Sequence, residues 1–125
     1  MNEDASLARE GTRAEQISGL GELSIRSWRD GEIHTIALRG EVDIATASHA
    51  EQELLRAEAT DATAIVLDLS ELSFLDSNGI RMLVMADARN RADSCRLSLR
   101  RPPDTVLRVL HLAGVADRLP FVDPA

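Results

Sequence analysis

Residues 64–69, Ala-Ile-Val-Leu-Asp-Leu, form a short, nearly unbroken aliphatic run rich in β-branched side chains. Such a run is the pattern of a strand covered on both faces, and therefore of a strand in the middle of a sheet. Helices must lie against it. Five residues later the chain reads Phe74-Leu75-Asp76-Ser77-Asn78-Gly79-Ile80, a junction at which the apolar strand ends and a helix begins. The first amides of a helix have no intrahelical partners and carry the positive end of its dipole. Asp76 or Ser77 can cap those amides, and a phosphate there is tolerated.

The flanking pattern completes an alternation of strands and helices. Leu23 to Trp28 and His34 to Arg39 alternate around Asp30-Gly31, a β-hairpin signature. Thr46 to Ala59 places Ala47, Ala50, Leu54 and Ala57 at helical spacing. The helix from Ser77 to about Arg91 groups Ile80, Leu83 and Val84, with Arg81, Met82, Met85 and Arg89 on the opposite side; Asp87 is expected at the margin, paired with Arg91 at i+4. Arg96 to Leu99 gives a further short strand. Pro102-Pro103-Asp104 opens a last helix carrying Val106, Leu107 and Leu110 and ending at Gly114. Leu119 to Val122 is a final edge strand or packed coil. The expected fold is α/β: a mixed sheet of about four to five strands, an N-terminal hairpin then alternating β and α, packed against three to four helices. Residues 1 to 21 lack periodicity and are expected to be a disordered tail outside a single domain spanning 22–123.

Composition excludes several function classes. The 125 residues carry a net charge of −7, which opposes sequence-independent nucleic-acid binding and docking on an acidic membrane. No apolar run reaches the roughly 20 residues that cross a bilayer, and residues 1 to 21 contain no secretory signal, so the expected location is the cytoplasm. All 14 basic residues are arginine, which removes Schiff-base chemistry and the phosphate-cradling lysine of nucleotide-binding loops. The single cysteine, Cys95, forbids an intrachain disulfide and reads as a small structural thiol. His34, His49 and His111 lack metal-ligand spacing, and neither a metal nor a cofactor is expected. Asp68 ends the central strand without a companion acidic pair and reads as a turn residue. Ser77 does not stand in a Gly-x-Ser-x-Gly setting, and no histidine is placed beside it by sequence, so a hydrolase is disfavoured.

Gly40-Glu41-Val42-Asp43, Ile65-Val66-Leu67-Asp68-Leu69 and Phe74-Leu75-Asp76-Ser77-Asn78-Gly79-Ile80 together resemble the landmarks of STAS domains, and more narrowly of bacterial anti-sigma factor antagonists. The similarity runs from about Leu23 to Val122, and Leu110 to Val115 looks like the end of the family's last long helix. The Asp-Ser-x-Gly junction is its most specific part. The resemblance implies a non-enzymatic protein that binds an anti-sigma factor, usually a serine kinase, and so releases a sigma factor. It also implies that the kinase phosphorylates Ser77 and lets go of the product, and that a serine phosphatase restores the active form. Asp76 matches the carboxylate beside the acceptor. Asp43 matches a position in the neighbouring loop that faces the kinase, although capping of the first helix or of a turn is an equal reading for it. Asn78 departs from the Ser or Thr of many relatives and leaves Ser77 as the obvious acceptor.

The expected contact surface comprises Asp43 and Thr46 in the loop, Asp76, Asn78 and Gly79 at the junction, and Arg81, Met82 and Met85 along the helix. The two methionines serve either as core filler or as an adaptable surface. Two alternatives stay open: Ser77 as a simple helix cap, and a STAS scaffold that works in another regulatory or transport complex without phosphorylation. A monomer is the default expectation.

Overall fold

The computed structural model describes residues 15–17, 22–93 and 95–122. Strands β1 (Glu15–Ile17), β2 (Glu22–Asp30) and β3 (Ile33–Val42) are followed by α1 (Ala47–Glu58), β4 (Ala64–Leu75), α2 (Ser77–Asp93), β5 (Leu97–Arg100), α3 (Asp104–Leu112), a 3-10 turn (Ala116–Arg118) and β6 (Phe121–Val122). The six strands lie side by side in sequence order. β1, β2 and β3 pair antiparallel, and β3 to β6 pair parallel. The expected four to five strands become six because the three-residue β1 and the two-residue β6 extend the two edges. Of the expected N-terminal tail, Glu15–Ile17 pair with β2; the remainder lies outside the described residues.

Local chemistry sets each connection. β2 and β3 are joined by a two-residue loop in which Gly31 takes φ +63°, the positive angle such hairpin loops require at a central position. At Gly40 (φ +114°) an added Cβ would overlap the Glu22 carbonyl oxygen of β2, so only glycine fits. α1 ends where the Arg96 guanidinium donates to the carbonyls of Glu58 (2.7 Å), Thr60 (3.2 Å) and Ala62 (2.6 Å), supplying donors to a terminus that has none of its own. Arg89 of α2 reaches Glu58 (2.9 Å) and Glu51 (3.6 Å) and clips the two helices together.

β4 lies in the middle of the sheet, but among the described residues only one face of it is covered. Ile65, Leu67 and Leu69 are buried, and they align with Ile36 and Leu38 of β3 and Leu97 and Leu99 of β5. Buried residues from all three helices join this single cluster. Val66 and Asp68 face the other way beside Thr35 and Ser98, half-buried on an open face. The expectation of cover on both faces is therefore corrected: small Ala64 and Val66 fill out the apolar run without needing a second layer.

The buried stripe of α2 also differs from expectation. It consists of Gly79, Met82, Leu83, Ala86 and Asp87, the i, i+3, i+4, i+7, i+8 pattern of a core-facing helix. It is displaced by one residue from the Ile80, Leu83, Val84 grouping, because Gly79 and Ala86 contribute close approach instead of hydrophobicity. Met82 is thus a core residue at 4% exposure, while Met85 is 45% exposed. Asp87 is buried, not marginal, and meets Arg91 at 2.9 Å as expected; Arg91 also donates to the Arg118 carbonyl, which ties α2 to the 3-10 turn. Cys95, expected as a structural thiol, is exposed and stands at φ +56°, where its N–H closes the end of α2 on the Asn90 carbonyl.

Two stability measurements follow. A Cβ on Gly79 would overlap the Leu75 side chain and press on Val42. Gly79→Ala should lower unfolding free energy by about 1–3 kcal/mol in urea titrations, although the same change in an open helix stabilises by about 1 kcal/mol. His34 lies partly buried with its Nε2 paired to the Ser27 hydroxyl at 2.7 Å and its Nδ1 without a partner among the described residues. Burial lowers its pKa below 6.5, against the attraction of Glu53 and aided by Arg29. Below pH 6.5 the unfolded chain therefore binds the proton more readily, so stability present above that pH falls as acid is added. Unfolding measured from neutral pH downwards should show this loss, and His34→Gln should flatten it.

Candidate functional site

β3 and β4 end side by side, Val42 opposite Leu75, and both chains then turn into helices. Ligand sites of open α/β sheets gather at such carboxyl ends of parallel strands. The first turn is organised by Asp43. Its Oδ1 accepts the N–H groups of Ala45 (2.9 Å) and Thr46 (3.1 Å). The Thr46 hydroxyl donates to the Glu41 carbonyl (2.8 Å), accepts the Asp43 N–H (2.9 Å) and lies 3.1 Å from Asp43 Oδ1. Thr46 is fully buried, and Asp43 is 9% exposed. Of the two readings of Asp43, turn capping is realised. Thr46, expected on the contact surface, is enclosed by its own loop and cannot touch a partner in this conformation.

The second turn is organised by Asp76. Its N–H donates to the Val42 carbonyl (3.2 Å), which joins it to the end of β3. Its Oδ1 accepts the Asn78 N–H at 2.8 Å and the Gly79 N–H at 3.4 Å, and its carbonyl accepts the Ile80 N–H at 3.0 Å. Asp76 is therefore the N-cap of α2. Ser77 is the first helical residue, exposed, and its hydroxyl has no hydrogen bond among the described residues. Capping does not account for Ser77. Asn78 is half-buried, with its amide 3.4 Å from Asp76 Oδ2. Gly79 is buried against Leu75 and Val42, so its role is close packing and not surface contact.

A groove of about 340 Å3 opens between the first turns of α1 and α2. Ile44, Ala47, Met82 and Met85 supply its apolar lining, and Ser48, Glu51, Asn78 and Arg81 its polar one. Of the expected surface residues, Asn78, Arg81, Met82 and Met85 thus come together, with Met82 reaching the groove from the core. Arg81 is exposed and has no ion pair among the described residues, whereas Glu51 is engaged by Arg89. Sequence reasoning missed Ile44, which at 71% exposure is the most prominent apolar residue of the groove. Its signal was an aliphatic side chain in the β3–α1 loop, outside the periodicity of either element. Phe74, 47% exposed, adds a further exposed apolar group three residues before Ser77.

Among the described residues no cluster of His, Cys, Asp and Glu has the makeup of a metal site, and no helix is long and apolar enough to cross a membrane. The family model described as "Mlab, STAS domain" matches residues 26–123. The chain belongs to the STAS domain family. The anti-sigma-F factor antagonist RsfB of Mycobacterium tuberculosis is 29% identical over 83 residues, covering 66% of this chain and 67% of that protein. An anti-sigma-B factor antagonist of Listeria monocytogenes is 28% identical over 89 residues, covering 71% and 78%. Two solved structures, each 23% identical, share the fold. An anti-sigma factor antagonist of Mycobacterium paratuberculosis superposes with a TM-score of 0.72 over 83% of this chain and 87% of that one. Unphosphorylated SpoIIAA gives 0.63 over 84% and 88%.

In this STAS domain the division of labour between Asp76 and Ser77 is measurable. Asp76→Ala should cost about 0.5–2 kcal/mol of stability through loss of the cap. Ser77→Ala should stay within about 0.5 kcal/mol of wild type. Thermal or urea unfolding of the two variants checks the assignment, and the reverse order would make Ser77 the cap.

Proposed function

We propose that this protein is an anti-sigma factor antagonist: unphosphorylated, it binds an anti-sigma factor with serine kinase activity and so frees a sigma factor, and phosphorylation of Ser77 ends the interaction. The observation that carries this reading is the Ser77 hydroxyl, exposed at the sheet end, free of any capping duty, and next in the chain to Asn78 of a groove with an apolar lining. The names of the two relatives point the same way, as does SpoIIAA, whose structure exists in a phosphorylated form as well. The protein works by binding and not by catalysis. The kinase brings its own nucleotide, a serine phosphatase resets Ser77, and the cycle runs in the cytoplasm with a monomeric antagonist.

The physical basis of the switch is local. A phosphate adds about −1.5 to −2 charges directly beside the Asp76 carboxylate. A complex weakened 100-fold has lost about 2.8 kcal/mol, and disrupting one desolvated charge pair costs about 3–5 kcal/mol. No rearrangement of the fold is needed. Because Asp76 already occupies the amides of Asn78 and Gly79, the phosphate stays largely unmet by the helix start, on the surface that the partner covers.

Incubation with ATP and the anti-sigma kinases of the native host, followed by peptide mapping, tests this reading. Stoichiometric phosphate on Ser77, absent from Ser77→Ala, is the expected result. Phosphate only at other residues would refute the switch, and equal recovery of partners by wild type, Ser77→Ala and Ser77→Glu baits would make the surface a constitutive scaffold.

A further inference from the structure

We propose that Arg81 is the intramolecular receptor for a phosphate on Ser77, an inference that rests on Ser77 being a phosphoacceptor. A phosphate at the start of a helix ordinarily turns to the free amides. Here Asp76 Oδ1 already holds the N–H groups of Asn78 and Gly79, which leaves the phosphate only the single N–H of Ser77 itself at the helix start. The phosphate must find its counter-charge in a side chain.

Arg81 stands four residues after Ser77 on the same helix, a spacing that brings Cβ atoms to about 5–6 Å. Both residues are exposed, and Arg81 has no ion pair among the described residues. The other arginines of α2 are committed, Arg89 to Glu58 and Glu51 and Arg91 to Asp87. Acidic residues stand at this end of the sheet: Asp76 at the junction, Glu51 of α1 in the groove, and Asp43 in the loop after β3. A planar guanidinium with paired donors suits phosphate oxygens better than any other side chain. Arg81 also lines the groove. Pairing with the phosphate draws its charge toward the helix start, so phosphorylation alters the wall of the groove.

The test uses the full chain with phosphoserine installed at position 77 during translation, so it does not depend on any kinase. Phosphorus NMR titration over about pH 4 to 8 at low salt reads the second phosphate ionisation, ordinarily near 6. With Arg81 present that pKa should lie lower than in Arg81→Gln by roughly 0.3 pH units or more, the size of an exposed i,i+4 ion pair, and Arg81→Lys should restore part of the difference. Equal values in the three folded proteins would overturn the proposal. Failure of host kinases to modify Ser77 would instead refute the phosphorylation switch while leaving the pairing result intact.

Discussion

Asp76 joins two parts of the molecule that the function needs together. Its backbone N–H is held by the last residue of β3, and its carboxylate caps the helix that follows β4. This one residue therefore sets where α2 starts relative to the sheet, and with it the position of every side chain on the helix's first two turns. Ser77 follows the cap and has no structural task, which leaves its hydroxyl available for modification. Gly79 completes the arrangement by letting the helix settle onto Leu75 and Val42. The neighbouring turn repeats the logic with Asp43 and Thr46, whose mutual hydrogen bonds fix the start of α1. Two rigid turns side by side hold the groove between them open.

The sheet explains why the groove and Ser77 lie at the same end. Its helices cover one face, and the buried side chains of all three helices and the central strands form one core. The parallel strands β3 and β4 deliver both turns to the same edge of that core. Charge is arranged to match. Arg96 is tied into the end of α1 and Arg89 into ion pairs with α1, whereas Arg81 in the groove has no ion pair among the described residues.

Much of this was legible in the sequence because periodicity and turn chemistry act locally. The hairpin at Asp30-Gly31, the helix over 47–58 and the strand-to-helix junction at Asp76 follow from residue spacing alone. The signal weakened where small residues do the packing. Gly79 and Ala86 carry the buried stripe of α2 without much hydrophobicity, so the stripe reads one residue out and Met82 stays open between core and surface. Val66 made β4 look covered on both faces, although its neighbours Thr35 and Ser98 leave that side open. Roles fixed by hydrogen bonds across the fold were the hardest to see: Thr46 looked available to a partner but is consumed by Glu41 and Asp43, and the exposed Ile44 belongs to no periodic pattern.

The dependence of binding on Ser77 is read by calorimetric titration of the host's anti-sigma kinase with the unphosphorylated protein and with protein carrying phosphoserine at position 77. The account predicts a stable complex with the first and binding at least about 100-fold weaker with the second, a difference of about 2.8 kcal/mol. Equal affinity for both forms would contradict it, because Ser77 would then be an exposed serine with no part in the interaction.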